Sequence, residues 1–242
     1  MIHLTAFIGL LFFWISSYKI MTKQGIQSEI SFAVLSMTHW LLAFIYFQTI
    51  VSFQLDKDVE LKIFGNELTL IQLWFHVLTC SYFTFDLVAR FFKKQLGQWL
   101  LIHHTFTLLF ILIAVLHQYS GSENIYVLRY ATFCNVPMNM KTILAKKGMQ
   151  NSNYYHICNL LYAAIYSINF LYFLPQLMIL FYYSNTSLLT FLMLALLCTQ
   201  AHYTIVKIHY PSSKQSLKYF SYKYYKQIVL ICKAIKLYML KD

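Results

Sequence analysis

The sequence predicts an all-α, polytopic membrane protein of seven transmembrane helices followed by a basic amphipathic helix. Three observations predict it. The 242-residue chain is 59% hydrophobic and only 11% charged, a balance that belongs to membrane-spanning chains rather than to soluble domains. Seven apolar segments can be bracketed, each near the ~20 residues that a helix needs to cross a bilayer. The charges between them change character from one connection to the next, as they must if successive connections face opposite sides.

The first segment, 4–21, has no basic residue before it, no small-residue cleavage site and Lys19 at its far end. It therefore reads as a retained span and not as a signal peptide, and its poverty in Arg and Ser argues against a mitochondrial presequence. Segments 31–55 and 69–92 follow, with Asp86 as the only acid inside any span. Segment 99–118 lies in Gln98–Tyr119, a run with no formal charge that nonetheless holds the adjacent histidines His103 and His104. Segment 125–145 carries Arg129 at one end, and Pro175 predicts a kink in the long segment 154–183. Segment 186–207 is the last, and Gly25, Gly65, Gly97, Gly121 and Gly148 punctuate the first five connections.

Orientation follows from the basic residues. Connections one, three and five carry Lys19 and Lys23, then Arg90, Lys93 and Lys94, then Lys141, Lys146 and Lys147. Connections two and four carry Asp56, Asp58, Glu60, Glu67 and Glu123 against only Lys57 and Lys62. Eight lysines follow from Lys207 onward. Lysine-rich connections stay on the inner side, so the N-terminus faces out, the tail faces in and the number of spans is odd. In the tail, 211–242, Phe220, Tyr224, Ile228, Ile231, Ile235 and Met239 recur at helical spacing, with Lys223, Lys226, Lys233 and Lys236 on another face. That is an amphipathic helix suited to an anionic inner leaflet, or to packing on a partner subunit. The +11 net charge is thus explained by membrane lipids and not by nucleic acid. The five cysteines fall within apolar helices and read as free thiols.

Depth can be assigned by counting ~1.5 Å per residue from the inner ends. Asp86 and the pair His103 and His104 come to similar depth on consecutive antiparallel helices. His39, Asn139, His156, Asn159, Gln200 and His202 fall in the same inner half. Polar groups in a span cost free energy and face interiors or cavities. A carboxylate beside an imidazole orients it and raises its basicity, so Asp86 with His103 or His104 reads as a general-base or nucleophile pair. Thr107 shares a face with His103, whereas His104 points ~100° away. The bland alternative is that these groups are hydrogen bonds between helices. No metal is expected: the chain has one His-His pair and neither HxxxH nor HxxHH.

His103-His104-Thr105-Phe106-Thr107 resembles the opening of the signature of the TLC-domain family, which includes the ceramide synthases. Ser81-Tyr82-Phe83-Thr84-Phe85-Asp86 is similar to that family's preceding helix, and Asn135-Val136-Pro137-Met138-Asn139-Met140-Lys141 to its Pro–Asn–basic segment. The resemblance implies a leading helix and connection over 1–30, a six-helix barrel over 31–208 and an inner-face tail over 209–242. It implies a lipid cavity open to the inner leaflet, with His103, His104 and Asp86 catalytic and Tyr82, Thr107, Asn139 and His202 lining it. A catalytic form would draw on acyl-CoA; otherwise no cofactor is implied. Ceramide synthases place further acids in the next helix, where this chain has Tyr130 and Ala131, and the Glu of the smaller members is missing from 130–140.

Two readings follow: a TLC-like protein that binds or processes lipid, or a non-catalytic subunit of a larger membrane complex that keeps the scaffold. The compartment is the endoplasmic reticulum or another endomembrane, alternatively the mitochondrial inner membrane. A seven-span receptor is disfavoured by the missing loop cysteine pair and receptor motifs. A repeat-built transporter is disfavoured because Pro175-Gln176 occurs once.

Overall fold

The computed structural model describes residues 2–54, 64–184 and 186–239, and within them every regular element is helical. These are α1 (Ile2–Lys23), α2 (Ser28–Gln54), α3 (Leu70–Phe92), α4 (Gln98–His117), α5 (Gly121–Thr132), α6 (Asn135–Lys146), α7 (Asn153–Ile168), α8 (Leu174–Tyr183), α9 (Leu188–Thr204) and α10 (Tyr210–Met239). Among the described residues five runs are long and apolar enough to cross a membrane: His3–Lys23, Ser28–Phe47, Leu100–His117, Asn153–Tyr183 and Leu188–Lys226. The chain is therefore all-helical and multi-pass in character. The α3 helix has the length but spends it on buried polar groups, Gln72, His76, Thr79, Ser81 and Asp86 among them.

The three prolines decide where helices bend and where they break. Proline lacks an N–H, and its ring collides with the carbonyl four residues back. Ahead of Pro175 the chain widens into a π turn, Asn169–Phe173, closed by Leu174 N–H donating to the Asn169 carbonyl. Ahead of Pro211 the same device recurs in Ile205–His209, closed by Tyr210 N–H donating to the Ile205 carbonyl. Each π turn lets the helix run through its proline, so Asn153–Tyr183 and Leu188–Lys226 are each continuous. Pro137 has no such relief. The segment expected as one helix over 125–145 is instead divided at Phe133 and Cys134 into α5 and α6.

The helices close a ring in the order α2, α6, the continuous run of α7 and α8, α9, α4 and α3, with α1 packed outside against α2 and α3. Trp14, Tyr18, Phe32, Tyr82 and Phe85 fill the seam beneath α1. The α5 helix touches α2, α3, α4 and α8 at once, and Gly121–Ile125 are buried without interruption. It sits inside the ring as a plug. Ile125 and Leu128 pack on one side with Phe47, Phe75 and Ile111. Val127 packs on the other with Phe110, Phe170, Leu174 and Leu197.

The expected alternation of ends is visible in direct contacts. At the lysine-rich end, Lys146 Nζ donates to Glu29 Oε1 at 2.7 Å and Gln95 Nε2 to Ser28 Oγ at 2.6 Å. These bonds join connections one, three and five. At the opposite end Gly65 N–H and Thr186 Oγ1 both donate to Glu123 Oε1 at 2.8 Å, joining connections two, four and six. The charges at 56–62 used to assign orientation lie outside the described residues, as do the side chains from 227 onward.

The tail departs from its expected place. It is continuous with α9 through the π turn, and its first half is docked on α7. Asn159 Nδ2 donates to the Ser212 carbonyl at 3.0 Å and to Ser216 Oγ at 2.8 Å, and Ser212 Oγ donates back to Asn159 Oδ1 at 2.8 Å. His156 stacks on Tyr219 at 3.8 Å, and Lys223 reaches Asn153 at 2.6 Å. An amphipathic helix lying flat on a leaflet would leave these groups unpaired.

Candidate functional site

Asp86 lies on the buried face of α3, 1% exposed. Arg90, one turn on, donates from Nε to both carboxylate oxygens at 2.9 and 2.8 Å. The guanidinium also rests over the Phe32 ring, 4.3 Å from its centroid. His104 Nδ1 stands 3.4 Å from Asp86 Oδ2, but the contact is not aligned as a hydrogen bond; Phe83 holds the ring edge-on at 4.9 Å. The depth match between Asp86 and the histidine pair therefore holds, and His104 is the member that meets it. The carboxylate's main partner is Arg90, which an Asp-x-x-x-Arg spacing on one helix face could have revealed.

His103 points elsewhere. With Thr107 it faces a cavity inside the ring, walled by Phe110, Val127, Tyr166, Phe170 and Gln200 among others. The cavity volume is about 30 Å³, room for about two waters. Thr107 Oγ1 donates to the His103 carbonyl at 2.9 Å. Among the described residues the His103 ring makes only aromatic contacts, with Phe83 at 6.5 Å and His104 at 5.6 Å. The depth count already places Gln200 in this inner half, whereas Tyr166 carries no signal in the sequence, because which residues face the cavity depends on how α7 and α9 rotate within the ring.

The remaining polar residues pair with their own neighbours. His39 stacks flat on Tyr82 at 4.2 Å. Asn139 donates to Ser36 Oγ at 3.0 Å, tying α6 to α2. His202 is exposed and turns its Nδ1 to the Cys198 carbonyl of its own helix. Asn139 and His202 thus do not line the cavity with His103, and neither does Tyr82. The expected constellation divides into an Asp86–Arg90–His104 group facing α3 and a His103–Thr107 group facing the void, on different faces of α4. Among the described residues no cluster of His, Cys, Asp and Glu could hold a metal ion.

No protein-family model matches this chain, and neither a curated protein nor a solved structure does. The TLC resemblance therefore remains an expectation from the motifs alone, His103–Thr107, Ser81–Asp86 and Asn135–Lys141. Four of the described cysteines, Cys80, Cys134, Cys158 and Cys198, form no disulfide.

Proposed function

We propose that this is a seven-span, TLC-like integral membrane protein that binds lipid without transforming it, in the cleft that His103 faces. The five long apolar runs are joined in this reading by α3 and by the broken α5–α6 as two further crossings. One observation carries it: the imidazole open to the cavity, His103, is not the one beside the carboxylate. Acyl transfer through an oriented base requires both on the same atom's path. Asp86 is held by Arg90 and so does not replace the family acids that this chain lacks. His103, Thr107, Tyr166 and Gln200 give the cavity a polar patch in an apolar wall, a composition suited to a lipid carbonyl or hydroxyl. An acyl chain is wider than the cavity, so occupancy involves parting of α4, α7 and α9.

The test is lipid mass spectrometry on protein purified in mild detergent. Wild type retains a stoichiometric lipid, and His103→Leu loses it while eluting with the same size. Equal retention by both would sink the reading. A second reading, a structural subunit of a larger complex in an endomembrane or the mitochondrial inner membrane, is favoured by the exposed tyrosines Tyr182, Tyr183, Tyr222, Tyr224 and Tyr225. A fixed set of co-purifying subunits with no bound lipid would select it.

A further inference from the structure

The plug helix α5 opens with Ser-Glu-Asn, an unusual way to begin a helix whose first five residues are all buried. Glu123 is fully buried, 0% exposed, with Asn124 equally so and Ser120 and Ser122 nearly so. Two of these neighbours are committed. Asn124 Nδ2 donates to the Phe110 carbonyl at 3.0 Å, and Ser122 Oγ accepts from Gln72 Nε2 at 2.8 Å. Glu123 Oε1 receives both Gly65 N–H and the Thr186 hydroxyl, while Oε2 has no hydrogen-bond partner. A carboxyl enclosed at 0% exposure, whose bonded oxygen meets only the neutral donors of Gly65 and Thr186 and which has no cation in contact among the described residues, sits where the neutral acid is favoured. A carboxylate at the same place would bury a charge without a counter-ion among the described residues.

We infer that Glu123 is a proton-held latch that seats the α5 plug over the inner cavity from the outer end of the bundle. The plug's far end supplies Val127 and Leu128 to that cavity, so releasing the latch loosens one of its walls. The latch itself joins three connections, and its packing is close. A β-carbon added at Gly121 would stand 2.1 Å from Leu68 Cδ1 and 2.7 Å from Gln72 Oε1.

Among the described residues, the titratable groups at this end of the surrounding elements are Tyr46 on α2, Glu67 before α3, His76 within it, His117 and Tyr119 at the end of α4, Tyr126 and Arg129 on α5, and Tyr182 and Tyr183 on α8. His76 turns its Nδ1 to the Gln72 carbonyl at 2.6 Å. Burial pushes the Glu123 carboxyl up, against weaker opposition from the hydrogen-bond donors around it, and no charged group among the described residues acts on it. For an acid raised on folding, the stabilisation is complete below the unfolded value and is lost as pH rises through the folded one. The latch therefore holds in acid and slips in base.

Hydrogen exchange across 121–128, corrected for the intrinsic rate, reads this directly in protein held in nanodiscs. Between pH 5 and pH 9, wild type should lose at least tenfold in protection, while Glu123→Gln, which fixes the neutral form, stays constant. Should that variant fail to fold, Thr186→Val serves: losing a donor that favours ionisation moves the wild-type transition to higher pH. Protection that is flat or rises with pH in wild type overturns the latch, as does a Thr186→Val transition at lower pH. Lipid retention by wild type at pH 5 is scored separately, so failure of the latch leaves the lipid reading standing.

Discussion

Asp86 and Arg90 decide more about this protein than any other pair of side chains. An acid in an apolar span invites a catalytic reading, yet its two oxygens are both engaged by the guanidinium one turn away. Removing one member of a buried pair leaves an uncompensated charge and costs about 3–5 kcal/mol. Arg90→Gln should therefore lower thermal stability in detergent sharply, and Asp86→Asn added to it should recover most of the loss, since the double change leaves no charge to desolvate. A catalytic Asp86 would predict the opposite ranking, with Asp86→Asn silent in stability. His103→Leu is expected to change stability by less than about 1 kcal/mol, because the His103 ring gives up no hydrogen bond in the fold and the leucine fills a largely apolar cavity. At Gly121 the outcome is reversed: Gly121→Ala should destabilise by about 1 kcal/mol through overpacking against the side-chain ends of Leu68 and Gln72, read as a lower melting temperature.

At the scale of elements, the prolines show how one residue type can have opposite consequences. Pro175 was legible as a kink and Pro211 only as the start of the tail, and neither π turn was legible, since nothing in composition distinguishes a helix that widens from one that stops. Pro137 is legible as a helix breaker only in retrospect, because the apolar run on either side continues through it. The fold of α10 onto α7 was also hidden: the sequence pattern shows a lysine face and an apolar face, while the contacts that fix it run through Ser212, Ser216 and Asn159. Asn159→Ala removes several buried hydrogen bonds at once, worth about 2–3 kcal/mol together. Limited proteolysis should then cut within 210–226 at least several-fold faster than in wild type, with cleavage in α1 unchanged. Equal rates would mean that the tail is held by something other than this knot.

For the whole molecule, the lysine asymmetry gives the sharpest prediction. Single cysteines placed at Gln150 and at Glu67 in sealed vesicles should react with an impermeant maleimide from opposite sides. Labelling of both from one side would overturn the alternation that Lys146–Glu29 and Thr186–Glu123 describe. The ring closed by α2, α6, the run of α7 and α8, α9, α4 and α3, with α5 inside it, makes Glu123 an interior residue although the sequence places it in a connection. Its role in orientation and its role in the latch are compatible, because an acid at the outer end carries no penalty under the lysine rule and is neutral when enclosed.

What the sequence by itself determined was the solvent: apolar runs of membrane length and lysines gathered at alternate connections set helix character, multi-pass topology and the end at which each connection lies, because these depend on composition and order along the chain. It also set the shared depth of Asp86 and His104, because rise per residue is fixed. Only the tertiary structure decided which face of α4 meets the void, where α5 sits and which partner each buried polar group takes. Those depend on how each helix is rotated about its own axis, and rotation is set by side chains packed from other parts of the chain.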